Sequence, residues 1–186
     1  SVGAKWSSIF STSVTGTLAI IAGRQVVSSS GTFLGVIGMQ LYISSNVELA
    51  LTSAVVGTSI ISYIMESSGE LVASSIPGIS IVSNVQVFAA AASDSTVAET
   101  AALYKNKWGF TNGKAHQVVL DTRIVWTKSY DVSDEYGLQW NLIIVLDANC
   151  DEGYFANNAT QSCQKCVDPF YSFGGTSSVD CGFCLS

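Results

Sequence analysis

The stretch YIMESSGELVASS, residues Tyr63 to Ser75, sets two apolar runs on either side of a polar tetrad. Tyr63-Ile64-Met65 and Leu71-Val72-Ala73 are β-prone, whereas Glu66-Ser67-Ser68-Gly69 carries turn chemistry, with Gly69 free to take a positive φ. The expectation is a β-hairpin. A hairpin alone fits any β-rich domain, so the rest of the chain has to say which kind this is.

A chain of 186 residues makes one large domain, or one domain with a small appendage. It is 48% hydrophobic but only 12% charged, and the charged share is about half the usual one. Serine, threonine and glycine supply the polarity, which leans toward an extracellular setting. The net charge of −6 argues against nucleic acid and anionic membrane surfaces as partners. Membrane insertion is not expected either: Leu18 to Ala22 and Leu142 to Leu146 fall far short of the ~20 apolar residues a spanning helix needs. The opening SVGAKWSS lacks the layout of a signal peptide.

Upstream of the hairpin, Leu18 to Ile21 and Gln25 to Val27 read as strands split by Ala22-Gly23. Phe33 to Ile43 reads as a long strand whose Gly35 and Gly38 suggest a bulge or a closely packed helix. Ser45-Asn46-Val47-Glu48 has the form of a capping box for a helix to about Val56. Downstream, residues 76–93 give no clear pattern, and Thr96-Val97-Ala98-Glu99 is a second capping box for a helix to about Asn106. Asn112-Gly113 signals a type I′ turn. Val118 to Leu120, Arg123 to Tyr130 and Gln139 to Leu146 are the remaining strands, with Trp126 and Trp140 as large core candidates. The total is an α+β domain of antiparallel sheet with few helices.

The character of the chain changes near Asn149. No cysteine precedes position 150, and then five follow as C-x12-C-x2-C-x14-C-x2-C: Cys150, Cys163, Cys166, Cys181 and Cys184. The surrounding segment is rich in turn formers and cannot bury enough apolar surface to fold unaided, so crosslinks are expected to hold it. The last four cysteines come close to zinc-ribbon spacing. Disulfides use Cys150 as well and fit the sequon Asn158-Ala159-Thr160, whereas zinc leaves Cys150 idle. The weight lies with disulfides, a glycan on Asn158 and no metal.

Three stretches in order are similar to the double Cache family of PAS-like extracellular sensor domains. KWSSIF followed by GTLAIIAGRQVVSSSGTFLGVIGMQLYI resembles its tract of W-x-x-x-Y/F, strand, P-V and G-x-F-x-G-V-I/V-G-x-D. YIMESSGELVASS resembles its hairpin of Y-I/L-x-D/E-x-x-G-x-L/I-I/V-A-x-S. YGLQWNLIIVLDA resembles its closing strand G-L-x-W-x-L/I-V/I-V/I-V-x-P. The resemblance implies antiparallel PAS/Cache-like sheets with flanking helices. It divides residues 1–149 into a partial distal part (1–58) and a proximal part (59–149), followed by a disulfide-rich module at 150–186.

That module also resembles the ephrin-receptor-like cysteine-rich repeat. Cys150, Gly153 and Tyr154 open a unit that Cys163 closes, and Cys166, Tyr171 and Gly174 open one that Cys181 closes. The resemblance implies bridges Cys150–Cys163 and Cys166–Cys181, each worth about 3 kcal/mol in the chain-entropy model. Cys184 is left unpaired or intermolecular.

In ligand-binding Cache domains a carboxylate on the G-V-x-G-x-D strand holds an amino group, aided by an upstream arginine and aromatics. Here that position is Gln40, and the arginine segment does not precede Trp6. Trp6, Phe10 and Gln40 are the candidate pocket lining, but the neutral Gln40 argues against a small-molecule ligand held by the usual contacts. Enzymatic chemistry finds no foothold: His116 is the lone histidine, beside a turn where a surface loop is expected. The acids Glu66, Asp121, Asp131, Asp134 and Glu135 fall in scattered turns, and no nucleophile elbow, P-loop or dinucleotide fingerprint occurs. No cofactor is implied. The expectation is therefore a non-enzymatic extracellular protein that assembles head to tail with copies of itself into filaments through the Leu18–Ile43 strands. The alternative is a ligand-sensing ectodomain of a Cache-type receptor.

Overall fold

The computed structural model describes residues 3–12, 16–54, 60–120, 123–147, 154–157, 162–165, 170–171 and 182–183. The small sheet comes first. Strands β1 (Lys5–Trp6), β2 (Phe10–Ser11), β3 (Leu18–Val27) and β4 (Phe33–Tyr42) form it, with β3 central, β1 and β2 in line along one of its edges and β4 along the other. A helix follows, a π-helical turn at Ser44–Glu48 leading into α1 (Leu49–Ala54).

The main sheet has the order β6-β5-β11-β10-β9, built from β5 (Ile60–Glu66), β6 (Leu71–Ser74), β9 (Ala115–Leu120), β10 (Arg123–Asp131) and β11 (Trp140–Asp147). Every pairing in it is antiparallel. Between β6 and β9 come the short hairpin β7 (Ile81–Val82) and β8 (Val85–Gln86), and helix α2 (Ser95–Leu103) with a π-helical turn at Tyr104–Trp108. Two further ribbons close the chain, β12 (Tyr154–Asn157) with β13 (Ser162–Lys165), and β14 (Phe170–Tyr171) with β15 (Gly182–Phe183).

The opening hairpin is β5–β6, and Gly69 takes φ +105° in its turn. Its unbroken apolar runs follow from burial on both faces, unlike a half-solvated strand that alternates. Tyr63, Met65 and Leu71 enter a core with Val97, Ala101 and Tyr104 of the α2 segment and Val125 and Ile143 of the sheet. Ile64, Val72 and Ala73 enter a second core with Leu18, Ile20, Ile43 and Trp140. Leu18, Tyr63, Leu71, Val97 and Ile143 are each 1% exposed or less. Completely burying side chains of this kind is worth about 1.5–3 kcal/mol apiece. Trp126 and Trp140 are buried, as the sequence suggests.

Several local expectations need correction. Ala22-Gly23 does not split a strand: β3 runs through it, with Gly23 paired to Gly38 in a continuous ladder with β4. The bulge reading holds near Gly35, where the register shifts between Val26 and Val27. Neither capping box forms. The first helix starts at Ser44 with Ile43 before it and no side-chain cap, and the Glu48 carboxylate accepts instead from Ser80 Oγ. The second starts one residue earlier than Thr96, because Asp94 Oδ1 accepts from the Val97 N–H at 3.0 Å. At Asn112-Gly113 only Gly113 has positive φ, so the turn is not type I′. The paired positive φ values are those of Ser83 (52°) and Asn84 (64°), which join β7 and β8 within the patternless region 76–93.

Among the described residues, β3 pairs with β1 and β2 along one edge and with β4 along the other, and the outer edge of β4 carries no strand. No helix among them is long and apolar enough to cross a membrane. The expected disulfides at Cys150, Cys163, Cys166 and Cys181, the leftover Cys184 and the glycan at Asn158 lie outside what is described, apart from the backbone of Cys163 in β13, opposite Ala156.

Candidate functional site

The register of β3 sorts the small sheet into two faces, because directly opposed residues of an antiparallel pair project to the same side. On one face Leu18 and Ile20, with Leu41 opposite Ile20, pack against the main sheet. The other face carries Ala19, Ile21, Gly23 and Gln25 from β3, opposite Tyr42, Gln40, Gly38 and Val36 from β4. Phe10 joins it opposite Ala19, and Lys5 opposite Gly23. Two of the three expected pocket residues, Phe10 and Gln40, thus share this face.

A cleft of about 530 Å³ opens there, lined by Gly3, Lys5, Trp6, Ser7, Ile21, Gly23, Arg24, Gln25 and Val36. Its floor is low because Gly23 and Gly38 face each other across the ladder. A Cβ at Gly38 would meet Ile21 Cγ2 at 3.2 Å, so a larger residue there needs the Ile21 side chain to give by a few tenths of an ångström. Lys5 and Arg24 are both among the lining residues, Lys5 on this face and Arg24 at the cleft's edge, opposite Ile37 in the alternate register, and no acidic residue is among them. Phe10 and Gln40 lie on the same face without lining it.

A second cleft, about 270 Å³, opens between the two sheets. Trp6, Ser7 and Ser8 of the β1–β2 link, Ile20, the β5–β6 turn residues Glu66, Ser67 and Ser68, and the run Gly137-Leu138-Gln139-Trp140 line it. Trp6 borders both clefts. Its indole N–H donates to Asp134 Oδ2 at 2.6 Å, and its backbone N–H to the Tyr136 carbonyl at 3.2 Å. Burial, then the neighbouring Glu70 charge, push the Glu66 carboxyl above its ordinary value, against the hydrogen bonds it accepts from Trp140 and Ser68. Ser67, Leu138 and Gln139 also border a third hollow, which holds Asp131 and Asp134. The acids expected to be scattered are in part gathered by the fold: Glu66, Asp131 and Asp134 face adjoining clefts.

His116 is not in a loop. It lies in β9, half-buried, stacked on Trp108 at 4.2 Å with the rings 2° from parallel, and edge-on to Tyr104. Burial and then the Lys114 charge lower its pKa. Among the described residues, no group of three or more His, Cys, Asp or Glu side chains is placed to hold a metal ion.

Sequence reasoning singled out Trp6 but missed Lys5, Arg24, Ser67 and Gln139 as lining residues. Lys5 and Arg24 carry a signal only in retrospect, as two cations in a chain with eight lysines and arginines in all.

Neither family models nor curated protein sequences match the chain. Solved structures do. The ligand-binding domain of the amino acid chemoreceptor PctC of Pseudomonas aeruginosa PAO1, in complex with GABA, superposes with a TM-score of 0.57 at 16% identity, covering 78% of this chain and 56% of that one. The ligand-binding domain of the Pseudomonas fluorescens chemoreceptor CtaA with L-serine gives 0.52 at 13% identity, covering 79% and 56%. The sensory domain of the Campylobacter jejuni chemoreceptor Tlp3 with isoleucine gives 0.52 at 10%, covering 80% and 50%. At such identities the likeness is one of fold, and the chain spans about half the length of the structures it matches. The chain shares with these chemoreceptor ligand-binding domains a mixed fold of helices and antiparallel sheets, the fold expected from the Cache resemblance.

This corrects two expectations. The head-to-tail filament subunit finds no support, because the matching folds are those of ligand-binding sensor domains. The argument against a small-molecule ligand fails with it. That argument leaned on the neutral Gln40 and on the missing upstream arginine segment, whereas the matching folds are those of ligand-binding domains solved with small molecules bound.

Proposed function

We propose that this chain is the ligand-sensing part of an extracellular receptor, non-enzymatic, which binds a small molecule on the open face of its small sheet. The observation that carries this reading is the cleft of about 530 Å³ with Lys5 and Arg24 at a glycine-floored sheet. Its volume is that of a small-ligand pocket. Two cations without an acid among the lining select a carboxylate or similar anionic group. The solved neighbours, crystallised with GABA, L-serine or isoleucine, support a ligand of that size and kind. Gln40, on the same face but outside the lining, carries no charge, so an amino group on the ligand is not held ionically at that position.

The remaining organisation is part of the same proposal: a partial distal part at 1–58, a proximal part at 59–149 and a cysteine-rich module at 150–186. The module is held by Cys150–Cys163 and Cys166–Cys181, with Cys184 outside both pairs and a glycan on Asn158. Peptide mapping of native, non-reduced protein checks these pairs and the glycan.

The ligand reading is tested by thermal denaturation against a panel of amino acids and small carboxylates. A true ligand at a hundred times its Kd raises stability by about 2.7 kcal/mol. The Lys5→Ala and Arg24→Ala variants should lose that gain while melting normally alone. A panel with no stabilising member, or a gain untouched by both substitutions, overturns the assignment.

A further inference from the structure

The cleft between the sheets plays no part in the reading above, and its chemistry is of the opposite sign. Trp6, Trp140 and Glu66 are among its lining residues, with Ser67, Ser68 and Gln139 as uncharged polar neighbours, and the indole of Trp140 is mostly buried in the core behind it. No lysine, arginine or histidine is among the lining residues. The Lys105 ammonium is committed elsewhere, donating to the Ser68 carbonyl at 2.6 Å and lying 5.1 Å from the centre of the Phe88 ring.

Both indoles are preset. Trp140 is 6% exposed and bonded to Glu66, and Trp6 is fixed by Asp134 and the Tyr136 carbonyl. Glu66 is thus a half-buried anion, beside a like charge at Glu70 and without a counter-charge among the lining residues.

Aromatic faces together with a carboxylate form the environment that stabilises a cationic nitrogen, through the ring quadrupoles and direct charge attraction. We infer that the cleft between the sheets is a second binding site, specific for a small organic ammonium ion seated between Trp6, Trp140 and Glu66. At about 270 Å³ it admits a headgroup of a few heavy atoms. An anionic ligand is repelled by Glu66, and a neutral one leaves that carboxylate uncompensated. The inference stands independently of the anion-selecting face, with which the cleft shares only Trp6 and Ser7.

The probe is choline, with 3,3-dimethyl-1-butanol as its uncharged counterpart of the same shape, titrated into the full chain while the indole N–H resonances of Trp6 and Trp140 are followed by NMR. Choline should shift both saturably and the neutral alcohol neither. Glu66→Gln should weaken choline binding about tenfold or more, whereas Lys5→Ala and Arg24→Ala should leave it unchanged. The wild-type chain provides a check without substitution, since binding should weaken as the pH falls and Glu66 takes up its proton. No saturable shift up to about 50 mM, equal binding of the alcohol, or an affinity indifferent to both Glu66→Gln and pH overturns the inference. Loss in Lys5→Ala and Arg24→Ala with retention in Glu66→Gln would move choline to the other cleft and overturn it equally.

Discussion

The indole N–H of Trp6 donates to Asp134 Oδ2 at 2.6 Å, a bond between residues 128 apart in the chain. It ties the first strand of the small sheet to the link between β10 and β11. Desolvation acts to raise the Asp134 carboxyl, but the donors of Leu138, Trp6, Tyr136 and Gly137 together outweigh it and hold the group below its ordinary value. A carboxyl with a depressed folded-state pKa contributes stability above its unfolded value of 3.8, and that contribution is lost as the pH falls through the folded one. Trp6→Phe and Asp134→Asn should each lower stability at neutral pH, and Asp134→Asn should remove more of the acid dependence, because Leu138, Tyr136 and Gly137 still hold the carboxylate when the indole is lost. Urea unfolding at pH 7 and pH 3 checks this, and the double variant should be no worse than the weaker single one.

Glu66 runs in the opposite direction. Its folded-state pKa is raised, so the fold disfavours its charged form, and stability declines as the pH rises from its ordinary value of 4.5 through the raised one. Without ligand, Glu66→Gln should therefore be slightly more stable than wild type at pH 7. The carboxyl is half open to solvent, so the gain should stay below about 1 kcal/mol. It should vanish below pH 4, as thermal melts across that range would reveal.

Tyr63 and Thr100 form a buried hydroxyl pair at 2.9 Å between β5 and α2. Burial drives the Tyr63 phenol pKa up, so it remains neutral and acts through its hydrogen bond alone. Thr100 Oγ1 also donates to the Thr96 carbonyl at 2.6 Å and keeps a partner when the phenol is lost. Tyr63→Phe should cost about 1 kcal/mol in chemical denaturation. A cost near zero would mean the pair contributes nothing net.

Asp94 caps α2, whereas Glu99 lies exposed on the same helix. Asp94→Ala should destabilise by about 1 kcal/mol, and Glu99→Ala by less than about 0.5 kcal/mol. Equal costs would restore the capping box that the sequence suggests.

His116 should titrate below the ordinary histidine value of 6.5, through burial and then the charge of Lys114. Because its folded-state pKa is lowered, stability should fall as the pH drops from 6.5 toward that lower value. NMR of the imidazole checks the midpoint, and Lys114→Ala should move it upward. Trp108 fluorescence should change at the same pH, since the two rings stack.

The three motif stretches were legible as a fold because each combines a turn with flanking apolar runs whose burial the fold then completes. Strand positions 115–147 came within a few residues because Trp126, Trp140 and the β-branched runs have no other place than a core. Helix starts were misplaced because capping is a competition between local side chains. Asp94 reaches the Val97 N–H where Thr96 was expected to organise the turn, and Glu48 is drawn away to Ser80. The β7–β8 hairpin was invisible because Ser83-Asn84 achieves left-handed geometry without glycine. The clefts were only partly legible, since Lys5, Glu66 and Trp140 meet Trp6 through pairings that no local pattern announces.

The β5–β6 hairpin is a party wall between two cores, and this governs what evolution can change in it. In a strand with one wet face, every second position is free to vary. Here consecutive side chains such as Tyr63, Ile64 and Met65 each belong to one core or the other, so no neighbouring position offers slack. A cavity opened on one side leaves the wall unsupported toward the other, and the two cores should therefore melt as one cooperative unit. Amide exchange in β5 should then be as slow as that of the whole domain and insensitive to which side is damaged.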